Sequence, residues 1–204
     1  MAPASAAPFR LVLRDLAKSY GSLHIWQNLD ADFMSGRIYC LMGTSGSGKT
    51  TLFRILLGLE QADAGNISVF PDSSAPARDL VAVFQENRLC ESFSPLDNVL
   101  LTTGRSCSRS QIYRELCRLL PEESVTRPVS TLSGGMKRRV SIARAVLTPT
   151  RGILMDEPFT GLDEDTKKLV ISYIKEKTAG KLLLISTHQE EDVVLLGGEL
   201  LRLF

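Results

Sequence analysis

The chain has 204 residues, with 24 Lys and Arg against 23 Asp and Glu for a formal net charge of +1, and 44% of its residues are hydrophobic. This is the composition of one ordinary globular domain, which excludes a largely disordered chain and is short for two independent domains. Without a basic excess there is no electrostatic footprint for a phosphate backbone, so nucleic acid is not an expected partner.

Residues 1–8, Met1 to Pro8, are small and Pro-rich, with neither a basic n-region nor an apolar h-region. They read as a disordered leader before a domain over 9–204, and the protein is expected to stay in the cytosol. Phe9 to Leu16 alternates as a strand, Gly21 breaks the pattern, and Leu23 to Phe33 forms a second strand of an N-terminal β lobe. Arg37 to Met42 is a strand that runs into the glycine-rich Gly43 to Thr50, and Lys49 to Leu59 follows as a buried helix. Asn66 to Phe70 and Leu80 to Phe84 are short strands separated by a turn over Pro71 to Pro76.

From Ser94 to Leu120 apolar residues recur at helical spacing, with Pro121 and Pro128 closing the stretch, so a helical insert is expected over about 86–147. Helix and strand then alternate: a helix from Gly135 to Leu147, a strand Gly152 to Met155, a helix Glu164 to Lys177, a strand Lys181 to Ser186 and a last strand Glu199 to Phe204. That alternation predicts an α/β fold with a mostly parallel sheet. The longest apolar runs, such as Leu182 to Ile185, are strand-sized, far below the roughly 18–20 residues of a membrane-spanning helix. Cys40, Cys90, Cys107 and Cys117 form no CxxC pair and read as buried or incidental thiols.

The segment Gly43-Thr44-Ser45-Gly46-Ser47-Gly48-Lys49-Thr50 matches G-x-x-x-x-G-K-[ST] in full, after an apolar strand and opening a helix. Its glycines let successive N–H groups, from about Ser45 to Thr51, point at phosphate oxygens. Lys49 supplies a cation for the β- and γ-phosphates, and Thr50 a hydroxyl for Mg²⁺. Ile153-Leu-Met-Asp156-Glu157 provides the matching acidic strand end. Asp156 is expected to hold Mg²⁺ through water, and Glu157 to accept a proton from an attacking water.

Leu132-Ser133-Gly134-Gly135-Met136, with the helix-like run from Lys137 to Ala145, resembles the signature motif of the ATP-binding-cassette (ABC) ATPases, and the resemblance extends from about Phe9 to the end. It implies the P-loop fold of that family, ATP and Mg²⁺ as ligands, and a second copy whose γ-phosphate the signature residues cover. Met136 departs from the usual glutamine. The resemblance further implies that Tyr20 stacks on adenine, that Gln85 touches Mg²⁺ and the attacking water, that His188 contacts the γ-phosphate, and that Asp163, in Thr160 to Asp163, lies at the dimer interface. His24 and Trp26 read as β-lobe core or surface.

Within the family the expected role is the ATP-hydrolysing subunit of a membrane transporter, on the cytoplasmic face of the membrane, with permease subunits and an external solute-binding protein as partners. An ABC-type ATPase of DNA repair or chromosome maintenance is the alternative. Lys49 and Ser133 stand only 84 residues apart, room for a small insert and not for a coiled-coil arm. A small-molecule kinase would leave Leu132 to Met136 and His188 without a role. Gln85 to Val99 resembles importers of the nitrate, sulfonate and taurine type, and Leu89 and Phe93 in it are expected to be exposed for docking of a permease helix. The sequence stops near its last expected strand, which predicts no C-terminal regulatory domain.

Overall fold

The computed structural model describes residues 8–71 and 79–203. The expected leader, apart from Pro8, and the expected turn beyond Pro71 lie outside them. β1 (Arg10–Tyr20) and β2 (Leu23–Met34) form an antiparallel hairpin closed at Gly21, which has φ +61°. After β3 (Ile38–Met42) and α1 (Lys49–Leu56), β4 (Ala64–Phe70) pairs with the other edge of β1, giving a three-stranded sheet in the order β2-β1-β4. β1 continues past the expected end at Leu16 because Asp15 enters the left-handed region, φ +50°, and its N–H donates to Asp30 Oδ1 at 2.7 Å. This irregularity resets the inside–outside alternation between Leu13 and Leu16 without ending the pairing.

β5 (Leu80–Val83) opens the second sheet, and the chain then leaves it for α2 (Pro95–Thr103), α3 (Arg109–Cys117) and two short 3-10 turns, Glu122–Ser124 and Val129–Thr131. α4 (Gly134–Leu147), β6 (Gly152–Asp156), α5 (Glu164–Lys177), β7 (Leu182–Ser186), α6 (Glu190–Leu196) and β8 (Glu199–Arg202) complete it. Every pair in the order β5-β6-β7-β3-β8 is parallel. This is an α/β P-loop architecture with an antiparallel N-terminal lobe. Both faces of β7 are covered: Leu183 and Ile185 pack with α4, α5 and the insert, and Leu182 and Leu184 pack with α1 and the β lobe. Hence the uninterrupted apolar run, as a parallel strand buried on two sides requires.

Three further expectations need correction. The helix expected to reach Leu59 stops at Leu56, because Gly58 turns to φ +67° and its N–H closes onto Ile55. α6 was not expected; it has only seven residues and no side-chain cap, so neither periodicity nor capping marks it. The last strand ends at Arg202. Of the cysteines, Cys40 is buried, where desolvation pushes its thiol up to about 11, whereas Cys90 is exposed. Among the described residues no helix is long and apolar enough to cross a membrane.

Candidate active site

β3, β6 and β7 end side by side, so the residues that follow them meet at one edge of the sheet, where ligands bind in open parallel sheets. The loop after β3 curls tightly over Gly43 to Gly48, with Gly46 at φ +86° and Gly48 at φ +89°. A Cβ at Gly43 would lie 2.5 Å from the Leu203 carbonyl, and one at Gly48 would lie 2.4 Å from Ile25 and Trp26. Only glycine fits either position. Trp26 Nε1 donates to the Ser47 carbonyl at 3.0 Å, so the β lobe buttresses the loop from outside. Lys49 is buried, and its ammonium spans the loop, donating to the carbonyls of Gly43 at 2.8 Å and Thr44 at 3.1 Å.

From the first turn of α1, Thr50 donates its hydroxyl to Asp156 Oδ2 at 2.5 Å, and the Ser186 hydroxyl donates to Asp156 Oδ1. Asp156 is 4% exposed, so its charge is held among donors at the end of β6. Glu157 follows with φ +47°, a conformation that costs a non-glycine residue about 1–2 kcal/mol. Its N–H donates to both the Ser186 carbonyl, 3.2 Å, and the Ser186 hydroxyl, 3.0 Å, which fixes the strained turn. The turn aims the carboxylate into the cleft. Gln85 Nε2 donates to Glu157 Oε2 at 3.2 Å, and His188 Nε2 meets Glu157 Oε1. Strain of this kind persists where the surroundings over-determine it, and functional sites are a common place for it.

Gln85, Glu157 and His188 border a cleft of about 350 Å³ together with Tyr20, Ser45, Gly46 and the stretch from Gly48 to Thr51. Tyr20 is 46% exposed, its hydroxyl donates to Glu60, and the Lys18 ammonium lies 5.0 Å from its ring centre. Leu132 to Met136 does not line this cleft. Ser133 caps α4, accepting from the Met136 N–H at 3.2 Å, while Gly134 is exposed, Gly135 is half-buried and Leu132 is buried. Asp163 caps α5, accepting from the N–H of Thr166 at 2.9 Å and from its hydroxyl at 2.8 Å. His24 is exposed and bonded to Ser19. Leu89, expected to be exposed, packs partly against the core, whereas Phe93 is 43% exposed.

Several contributors escaped the reading of the sequence. Ser186, directly before Thr187 and His188, holds both Asp156 and Glu157. Thr187 donates to the buried Asp192, and Asp192 faces the Lys167 ammonium at 3.2 Å, bracing the start of the His188 turn. Arg138 and Arg144 of α4 reach the loop that carries Gln85. Trp26 has no local signal at all; only the full match of Gly43 to Thr50 says that something must support that loop.

The oxygen donors of Thr50, Asp156 and Gln85 suit a hard divalent cation. Among the described residues no group of three His, Cys, Asp or Glu could hold a metal alone, so a cation here would need phosphate oxygens as well.

The family model described as "ABC transporter" matches residues 26–160. An aliphatic sulfonates import ATP-binding protein of Pseudomonas syringae pv. tomato is 33% identical over 205 residues, covering 98% of this chain and 73% of that protein. A Nod factor export ATP-binding protein of Cupriavidus metallidurans is 35% identical over 194 residues, 89% of this chain, and the chain spans 64% of its length. Among solved structures, the dimeric bacterial ABC transporter cassette MJ0796 superposes with a TM-score of 0.81 at 26% identity, over 95% of this chain and 94% of that one.

Proposed function

The chain belongs to the ABC transporter family as an ATP-binding ATPase subunit, and on that premise we propose that it hydrolyses ATP in the cleft beside Lys49 to power passage of a solute across a membrane. The observation that carries the reading is the single carboxylate of Glu157, flanked by Gln85 and His188 and one residue beyond Asp156, which is buried and accepts from Thr50.

In this reading Tyr20 stacks on adenine, the N–H groups of Gly43 to Thr51 cradle the phosphates, and Lys49 releases its loop carbonyls to engage the β- and γ-phosphates. Thr50, Asp156 and Gln85 would hold Mg²⁺, which would supply positive charge to offset the charge that develops during phosphoryl transfer. Glu157 accepts the proton of the attacking water as its oxygen bonds to the γ-phosphorus, and the bond to the β-phosphate oxygen breaks to leave ADP and phosphate. His188 holds the Glu157 carboxylate on one side and meets the γ-phosphate on the other.

Because Leu132 to Met136 lies away from this cleft, its exposed helix start is assigned to the ATP of a second copy, with Asp163 beside the interface. Residues 9–204 act as one domain, with the insert over about 86–147 facing permease subunits at the cytoplasmic face of the membrane. An external solute-binding protein would deliver cargo. The relatives bear both import and export names, so the reading is of the shared ATPase step and not of one cargo. Purified chain should release phosphate from ATP only with Mg²⁺ present, and Glu157→Gln should stop it. Turnover that persists in that variant would refute the assignment.

A further inference from the structure

Arg138 sits just past the first turn of α4, five residues after Ser133, and is only 6% exposed. Its Nη1 donates to the Phe84 carbonyl at 2.6 Å, and its Nη2 donates to the Gln85 carbonyl. Further along the same helix Arg144 donates to the carbonyls of Arg88, 2.9 Å, and Asn87, 3.3 Å. Four carbonyls of one loop therefore accept from one helix. Burying a guanidinium is unfavourable unless its donors are matched, and here the carbonyls of the loop after β5 match them. The loop is also bent: Arg88 adopts φ +46°, and its guanidinium lies 4.0 Å from the centre of the Phe84 ring. The side chain of Gln85 is exposed, and its bond to Glu157 spans 3.2 Å.

We infer that Arg138, assisted by Arg144, is a positioning residue for Gln85, tying the backbone of Gln85 to the helix that begins at Ser133. A displacement of that helix start is thereby delivered to the group facing Glu157. Rigid helices and hydrogen-bonded side chains are the physical means by which such a displacement travels. Arg138 itself does not line the cleft, so its effect passes through Gln85. The inference rests on the role proposed for Gln85.

The test is a double-substitution cycle in the full chain, Arg138→Met, Gln85→Ala and both together, reading kcat at saturating Mg-ATP and nucleotide affinity. Arg138→Met is expected to lower kcat about tenfold, the loss that goes with a charged hydrogen-bond donor. Nucleotide affinity should stay within about twofold, and in the Gln85→Ala background Arg138→Met should add nothing further. The same tenfold loss in both backgrounds, or none in either, overturns the inference while leaving Gln85 its role. Parental kcat in Gln85→Ala overturns the reading of Gln85 and the inference with it. Arg138→Lys, which keeps the charge and a donor, should restore part of kcat. Should the Met variant not fold, the cycle is run with Arg138→Gln, which removes the charged fork, and is decided by the same criteria.

Discussion

Trp26 and Ser47 belong to different sheets' territory, yet the indole N–H of the first donates to the carbonyl of the second at 3.0 Å and its ring closes over Gly48. The conformation of the Gly43 to Gly48 loop is thus held partly by the β lobe. Trp26→Phe keeps most of the apolar contact and removes the donor, a change of about 1 kcal/mol for a neutral hydrogen bond. Nucleotide affinity should weaken several-fold on that same scale with little loss of melting temperature. Calorimetric titration beside a thermal melt checks this, and unchanged affinity would mean that the loop holds its shape unaided.

Lys49→Ala removes a buried cation that now rests on two loop carbonyls. A charge-assisted contact contributes about 1.5–3 kcal/mol, so affinity for ATP should fall at least tenfold. Fluorescent-ATP titration measures it. Parental affinity would show that the phosphates lie elsewhere.

Glu157→Gln preserves the size of the side chain between Gln85 and His188 and removes its basicity. Hydrolysis should drop by about a hundredfold or more while nucleotide still binds. Two chains should then remain joined around ATP, seen as a dimer by size-exclusion chromatography with Mg-ATP. A strictly monomeric variant at saturating ATP would remove the case for a shared interface through Ser133.

Phe93 is 43% exposed at the entry to α2, its carbonyl accepting from Val129 at 2.8 Å while its ring faces outward. Phe93→Glu should therefore melt near the parental temperature and bind nucleotide normally, yet fail to assemble in detergent with the proposed permease partner. If the variant aggregates or melts many degrees lower, the ring supports the fold and not a partner.

The carboxyl of Asp163 is held below its ordinary value of 3.8, first by the Thr166 N–H and then by the Thr166 hydroxyl. A depressed carboxyl contributes stability that is present above pH 3.8 and lost as pH falls through the folded value. Asp163→Asn still caps α5 but does not titrate, so its melting temperature should fall less between pH 5 and pH 3 than that of the parent, by a small margin for so exposed a group. Equal slopes in differential scanning fluorimetry would assign the acid response to other carboxyls.

What could be read in advance was what lies close along the chain. Gly43 to Thr50 is legible because its chemistry is set by spacing over eight residues, and α5 was bounded correctly because Asp163 caps it and Thr178 ends it. The contacts of Trp26 and Arg138 were not legible, since their partners Ser47 and Gln85 lie 21 and 53 residues away and nothing in the local pattern of either announces them. Asp15 misled for a different reason: one left-handed residue inside β1 breaks the period on which strand recognition depends. Leu89 misled because apolar character in a polar loop does not reveal whether a helix covers it.

The position of β3 has a consequence for synthesis. Its only neighbours in the sheet are β7 and β8, made of residues 182–186 and 199–202, so the strand that leads into the phosphate loop leaves the ribosome with neither edge paired. The β1–β2 hairpin can close early, but the strand that leads into the Gly43 to Gly48 loop must wait until residues 182–202 have been made. Long-range pairing of this kind is slow and leaves edges open to wrong partners. Nascent chains that stop before about residue 180 should therefore be unable to hold ATP, and the β3 edges stay open to wrong partners until β7 and β8 emerge.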